Sequence, residues 1–183
     1  MKTVGISLQP WSGKFFSRFP LHQLTMQIVG GEELDRDLLY EYWNRFAEAA
    51  DDQEIMALAE KMVESKLGSF TANAAVESII KDIQQQTSED LSVIFDRVPY
   101  STRRIEQLFM EEVGISAKFY RKKVRFQNAL KGLKLKLYPS LTDLAYATGY
   151  YDQAKFIKDF RSFTGDSPGK YLAAQGNVGG ELV

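Results

Sequence analysis

Two stretches of the sequence, about fifty residues apart, carry polar side chains of the types that read the edges of DNA bases. A glutamine can bond adenine through two hydrogen bonds, an arginine or lysine can bond guanine, and a glutamate can accept from cytosine. Apolar residues recur between the polar ones at helical spacing, so the polar side chains should share the solvent face of a helix. The candidate base-contacting residues are Arg103, Arg104, Glu106, Gln107, Gln153, Ala154, Lys155 and Lys158.

The second stretch lies in a pattern of a short helix, a tight turn and a second helix, "LTDLAYATGYYDQAKFIKDF". Gly149 permits the positive φ that a tight turn requires, and Asp152 is placed to cap the helix that follows. Phe156 and Phe160, at i and i+4, are expected to hold this helix to the core. The pattern therefore predicts a helix-turn-helix whose second helix turns its polar face to solvent.

The first stretch repeats this arrangement with one departure. Ser101 should cap its helix, and Ile105, Leu108 and Phe109 should face inward. The preceding turn, "DRVPYS", contains Pro99 and no glycine, so its geometry is expected to be distorted. An outward charged face is usually only solvated, but two copies of the pattern joined by a basic helix are a more specific signal.

Residues that start and stop helices recur regularly after residue 86. The other predicted N-caps are Thr87 or Ser88, with Asp90 completing a capping box, then Ser116, Ser140 with Asp143, and Ser167 before Pro168. Gly114 and Gly165 are expected to close helices.

Charge divides the chain into an acidic and a basic half. Residues 1–96 hold 8 Lys or Arg and 16 Asp or Glu, and residues 97–175 hold 15 and 7, although the net charge of all 183 residues is −1. The basic half indicates a polyanionic partner. If that partner is DNA, a fragment spanning residues 87–175 is expected to suffice for binding. An acidic protein as the partner of the basic half stays open as an alternative.

Several classes of function are disfavoured by what the sequence lacks. It has no Cys and a single His, His22, so zinc binding and thiolate chemistry lack their ligands. No G-x-S-x-G, Walker loop or G-x-G-x-x-G occurs. We therefore expect no catalytic residues, no metal, no cofactor and no enzyme activity. Without a signal peptide or an apolar run of about 18 residues, a cytoplasmic protein without a membrane contact is expected.

The N-terminal part is predicted to be β-like at first and then helical. Within residues 3–29, "TVGISL" and "LTMQIV" carry β-branched residues in rough alternation. Amphipathic helices are predicted at 35–50, 52–67 and 71–86, with apolar stripes that are most simply core. The stripes consist of Leu38, Leu39, Tyr42, Trp43, Phe46, Ile55, Met56, Leu58, Ala59, Met62, Val63, Leu67, Ala75, Val76, Ile79, Ile80 and Ile83. The aromatic residues Trp11, Phe15, Phe16 and Phe19 either cover these helices or line a small-molecule pocket.

Residues 88–174 resemble the DNA-binding domain of AraC/XylS-type transcriptional regulators. In the first unit and the linker after it, the matching residues are Ser101, Ile105, Phe109, Gly114, Ser116, Tyr120, Arg125 and Ala129. In the second unit they are Leu144, Ala145, Gly149, Tyr150, Gln153, Phe156, Phe160, Arg161, Phe163, Gly165, Pro168 and Tyr171. The sequence departs from the family at Phe95, where a small Ala is usual. The resemblance implies two recognition helices that enter successive major-groove segments on one face of DNA.

The resemblance also implies a set of partners and contacts. The candidate phosphate-contacting residues are Ser101, Arg121, Lys122, Lys123, Lys170 and Tyr171. Double-stranded DNA is the expected partner, in the cytoplasm of a bacterial-type cell and at its nucleoid. RNA polymerase, a small-molecule effector and a second copy of the chain remain open as further partners.

The predicted fold is mainly α, with a C-terminal tandem helix-turn-helix domain joined by a linker helix. A helical region with a short β-like N-terminal segment precedes it. The predicted DNA-binding domain spans 87–175, and 176–183 is a tail. Residues 1–86 are predicted to be a regulatory or oligomerisation region, either a shortened sensor domain or a helical layer. This acidic region is expected to self-associate and not to contact DNA.

Overall fold

The computed structural model describes residues 5–25, 36–67 and 72–176, and each structural statement below concerns these residues. Their regular structure is helical. The elements are a 3-10 turn at Gly13–Phe15 and helices α1 (Leu21–Leu24), α2 (Arg36–Glu48), α3 (Asp52–Leu67), α4 (Ala74–Gln85), α5 (Leu91–Phe95), α6 (Thr102–Glu112), α7 (Ala117–Lys134), α8 (Leu141–Ala147), α9 (Gln153–Thr164) and α10 (Pro168–Gly176). The mainly helical fold that the sequence predicts is confirmed.

The β-like segment predicted within residues 3–29 is not confirmed. Residues 5–9 form neither helix nor strand, and Leu24, taken as the start of a strand, is the last residue of α1. The backbone here bonds locally, as where the Gln23 N–H donates to the Pro20 carbonyl at 2.9 Å. Residues 3, 4 and 26–29 lie outside the described residues. Strands need partners for their backbone groups, and the described residues contain no strand to pair with.

The chain forms two compact units, described here one at a time. The first comprises Met1–Ile79 and Val98–Ala117, and the second comprises Ile80–Arg97 and Lys118–Val183. Helix α6 is thus grouped with the N-terminal residues, and α9 belongs to the second unit. The domain boundary after residue 86 stays a prediction.

In the first unit, α2 packs against α3. The buried cluster of these helices consists of Leu38, Tyr42 and Met62, with Phe16 and Phe46 packed against it. Phe16 therefore covers the helices, which is one of the two roles expected for the N-terminal aromatic residues. The predicted stripes are wrong at Trp43 and Met56, whose side chains are 73% and 57% exposed. The side chains of Leu39 and Leu67 lie outside the described part of the chain.

Helix α4 matches its predicted stripe at every position. The buried residues are Ala75, Val76, Ile79, Ile80 and Ile83, none more than 8% exposed. Spacing at i, i+3, i+4 and i+7 places such residues on one side of a helix.

In the second unit, α9 packs against both α8 and α10. The shared core consists of Ala129, Leu133, Leu144, Ala145, Tyr150, Phe156 and Phe160. The Phe160 ring meets those of Phe126, Phe156 and Tyr171 edge to face, at centroid distances of 5.3, 5.7 and 5.5 Å. Such aromatic pairs stabilise beyond the area they bury, so α9 is held firmly along its inner face.

Most of the predicted helix ends are confirmed. The side chains of Ser101, Ser140 and Asp152 each accept the backbone N–H three residues ahead, which satisfies a donor that the first turn leaves open. Pro168 is the first residue of α10. Gly165 follows α9 with φ +82°, as a left-handed C-terminal residue should.

The start of α5 corrects a prediction. Its N-cap is Asp90, not Thr87 or Ser88, and the Asp90 carboxylate accepts from the Ser92 backbone N–H at 3.0 Å. This hydrogen bond is the main reason why the pKa of Asp90 lies below its usual value. Helix α5 therefore begins closer to its apolar residues than the capping-box pattern suggested.

None of the described helices is long and apolar enough to cross a membrane. Across the same residues, no group of three or more His, Asp or Glu side chains is arranged to hold a metal ion.

Candidate nucleic-acid interface

The turn between α8 and α9 depends on Gly149. Its φ is +87°, its N–H donates to the Tyr146 carbonyl at 3.0 Å, and the Tyr150 N–H donates to the Ala145 carbonyl at 2.9 Å. A Cβ added at Gly149 would lie 2.9 Å from both the carbonyl carbon and oxygen of Thr87. The turn therefore needs glycine both for its backbone conformation and for the close approach of another backbone segment.

The outer face of α9 carries the second set of candidate base contacts. Ala154, Lys155 and Lys158 are exposed, and Gln153 is half-buried at the first position of the helix. The Gln153 Oε1 accepts from the Thr142 hydroxyl at 2.7 Å. That bond orients the amide and leaves its NH2 group to donate, which is the donor half of a bidentate contact with adenine.

A buried carboxylate, which the sequence interpretation missed, underlies this face. Asp159 is only 5% exposed, and its Oδ1 lies 2.9 Å from the Lys155 Nζ and 3.5 Å from the Lys122 Nζ. Lys122 also donates to the Ser162 hydroxyl at 2.8 Å and lies 5.0 Å from the centre of the Phe163 ring. The signal in the sequence was the i, i+4 spacing of Lys155 and Asp159.

Two arginines of α7 are committed to backbone carbonyls. The Arg121 guanidinium donates to the Glu89 carbonyl at 2.8 Å, and the Arg125 Nε donates to the Thr87 carbonyl at 2.7 Å. Burial lowers the pKa of both guanidinium groups, and arginine is effectively always protonated in proteins. Both side chains therefore anchor residues 87–89 to the linker helix α7.

The candidate phosphate-contacting residues differ in how exposed they are to solvent. Lys123 and Lys170 are exposed, whereas Tyr171 is half-buried against the Phe160 ring. Ser101 uses its hydroxyl to cap α6. Because Arg121 and Lys122 also bond within the protein, Lys123 and Lys170 are the candidates whose charge faces solvent.

Helix α6 separates its two faces as predicted. Ile105, Leu108 and Phe109 are at most 4% exposed. The opposite side carries Arg103, Arg104 and Gln107, which are exposed, and Glu106, which is half-buried. The Arg104 guanidinium lies 3.5 Å from the Glu111 carboxylate, with both side chains about half exposed.

A groove runs beside this polar side of α6. Its volume is about 670 Å³, and its lining residues are Pro20, His22, Arg103, Glu106, Gln107, Met110 and Glu111. His22 therefore lies next to candidate base contacts. Nothing in the sequence pattern indicated this, because about eighty residues separate the two walls.

Comparison with protein families agrees with these geometries. A family model described as a helix-turn-helix domain matches residues 94–174. No curated protein and no solved structure matches the chain. The match includes α6 through most of α10, so it covers both candidate base-contacting faces.

The match favours DNA, and not an acidic protein, as the partner of the basic half. It is to a domain family of regulators and not of enzymes. Residues 94–174 therefore match the AraC-type helix-turn-helix domain, which supports a DNA-binding transcription regulator of the AraC/XylS type.

Proposed function

We propose that the protein binds specific DNA sequences by placing α6 and α9 in successive major-groove segments, and that it regulates transcription there. The observation that supports this most strongly is the two-sided character of α9. Phe156 and Phe160 are fully buried on one side, while Ala154, Lys155 and Lys158 face solvent on the other. A helix that is held this firmly on its inner side can present the side chains of its outer side to base edges in a fixed geometry.

The residues of α9 and α7 divide into two proposed roles. Gln153 and Lys158 read base edges. Gln153 is the first residue of the capped helix α9, whose N-terminal end points into a groove in such motifs, and Lys158 lies on its exposed face. Lys123 and Lys170 contact phosphates through solvent-facing ammonium groups. Arg121 and Lys122 act mainly inside the protein, because each already donates to a partner there.

The same division is tested by selection of DNA sequences. The full chain is used to enrich duplexes from a random library, and the enriched duplex is footprinted with hydroxyl radicals. Two protected segments, about 34 Å apart along one face, are expected. Gln153→Ala and Lys158→Ala should each cost about 1–3 kcal/mol on the enriched duplex and relax the preference within one segment.

Lys123→Ala is the matched control, because it removes a proposed phosphate contact and should weaken all sequences alike. Equal, sequence-independent losses for Gln153→Ala and Lys123→Ala would show that α9 is not a recognition helix. Failure of the chain to enrich any sequence over random DNA would contradict sequence-specific binding altogether.

We also propose that residues 1–86 regulate or oligomerise the protein, with 87–175 as the DNA-binding domain. Tyr40 and Trp43, at i and i+3 on α2, are 77% and 73% exposed, which suits a contact with a second copy. Sedimentation of the full chain checks this, and a monomer at tens of micromolar would contradict it. The proposed regulation leaves room for a small-molecule effector and for a contact with RNA polymerase. A DNA-binding regulator of this kind is also proposed to act at the nucleoid.

A further inference from the structure

The N-terminal segment 12–25 packs against the C-terminal end of α6 within the first unit. Helix α1 contacts α6, and one close approach is at Gly114, just beyond the end of α6. A Cβ on Gly114 would lie 2.5 Å from the Leu21 Cβ and 2.7 Å from its carbonyl carbon. Gly114 also has a φ of +80°. The two segments therefore meet backbone to backbone, at a distance that only glycine permits.

Polar contacts join the two segments beside this approach. The Lys14 ammonium lies 2.5 Å from the Glu112 carboxylate, and these side chains are 30% and 15% exposed. The Thr25 hydroxyl donates to the Gly114 carbonyl at 3.0 Å. A half-buried ion pair and a hydrogen bond to a backbone carbonyl both depend on direction, so they orient the end of α6 as well as holding it.

These contacts leave the candidate base-reading side of α6 open. Pro20 and His22 line the groove beside it, but Arg103, Arg104 and Gln107 remain exposed. The contacts of Lys14, Leu21 and Thr25 lie at Glu112 and Gly114, beyond the residues that would meet bases. The segment therefore holds the C-terminal end of α6 and flanks the groove, while Arg103, Arg104 and Gln107 stay exposed.

We propose that segment 12–25 is a positioning element of the first DNA-reading unit, an inference that rests on the proposed function. Base contacts tolerate errors of only about 0.5 Å in the supporting shell. An 11-residue helix held at its distal end keeps its reading residues at a fixed angle. The N-terminal region then takes part in recognition, contrary to the expectation that residues 87–175 suffice.

The test reverses the charges of the ion pair in the full chain. Lys14→Glu and Glu112→Lys each place like charges together, and the double variant Lys14→Glu/Glu112→Lys restores the pair. On the enriched duplex, each single variant should lose about fivefold in affinity, as expected for about 1 kcal/mol. Protection should decrease in the same DNA segment in which Arg103→Ala decreases it. The segment that Lys158→Ala weakens should keep its protection, and the double variant should recover to within about twofold.

Two further variants separate this effect from others. Arg18→Glu makes the same charge change on the same segment, but Arg18 faces Asp37 of α2 at 3.7 Å, so it should leave both footprints unchanged. Gly114→Ala places a Cβ 2.5 Å from the Leu21 Cβ without changing charge, and it should weaken the same footprint as Lys14→Glu.

Three results would overturn the inference while leaving the proposed function intact. They are unchanged footprints in both single variants, tighter DNA binding by Lys14→Glu, and a double variant as weak as the singles. Tighter binding would mean that the segment obstructs α6. A single protected segment for the unaltered chain would instead contradict the proposed two-helix function, and this inference with it.

Discussion

Asp159 connects the outer face of α9 to the linker helix through two ammonium groups. A carboxylate that is 5% exposed keeps its charge only when cations or donors compensate for lost water. Lys155 and Lys122 supply that compensation from α9 and α7. The residue beneath a candidate DNA-reading face thus contributes to stability, and its two partners are less available to DNA than their charges suggest.

Replacing Asp159 by asparagine should destabilise the fold. Asp159→Asn keeps the shape of the side chain but removes the charge that Lys122 and Lys155 face. We expect a loss of about 1–3 kcal/mol in the free energy of unfolding, measured with urea. Asp166→Asn is the control, since Asp166 is exposed and should change stability by less than about 0.5 kcal/mol. Similar values for the two variants would show that the buried carboxylate has no structural role.

At the scale of elements, the α8–α9 turn is constrained in two ways at once. Gly149 combines a positive φ with close approach to the Thr87 backbone, and Arg125 holds that same backbone from α7. Gly165, which closes α9, has nearly the same φ but open space where a Cβ would lie. A side chain at Gly165 would therefore meet only the strain of a positive φ. A side chain at Gly149 would meet that strain and a steric clash with the Thr87 backbone.

Gly149→Ala should destabilise more than Gly165→Ala. Both variants place an L side chain at positive φ, which costs about 1–2 kcal/mol. Gly149→Ala must in addition push a Cβ against backbone atoms 2.9 Å away, and overpacking of this kind costs about 1–3 kcal/mol more. Urea unfolding of the two variants measures the difference directly. Equal losses would mean that residues 87–88 move aside at no cost.

At the scale of the whole molecule, the uneven charge distribution determines how the protein should respond to salt. Residues 97–175 carry an excess of eight positive charges and residues 1–96 an excess of eight negative ones. Positive charge near phosphates releases condensed counterions, so affinity depends on salt. The acidic part would repel DNA wherever it came near the duplex.

DNA affinity should therefore fall steeply as salt rises. If about five phosphates are neutralised, log K against log salt should have a slope of about −4 to −5 for the full chain. Lys123→Ala should reduce the magnitude of that slope by about 1, because it removes one phosphate contact. Titrations of a fluorescent duplex at several salt concentrations give both values. A flat response would count against binding to the DNA backbone.

The sequence by itself determined the features that depend on neighbours along the chain. Ser101, Ser140 and Asp152 cap helices because a side chain need only reach a backbone N–H three residues away. The apolar stripe of α4 and the inward Phe156 and Phe160 follow from helical spacing in the same way. These local rules also predicted the helical fold and the outward faces of α6 and α9.

Only the tertiary structure decided which residues meet across long separations. Lys122 and Lys123 are adjacent lysines of α7, yet Lys122 points to Asp159 while Lys123 faces solvent, because the packing of α7 in the second unit distinguishes them. The junction of Leu21 with Gly114 joins residues more than ninety positions apart. Spacing along a sequence carries no information on such pairs, since their contact depends on how separate helices pack.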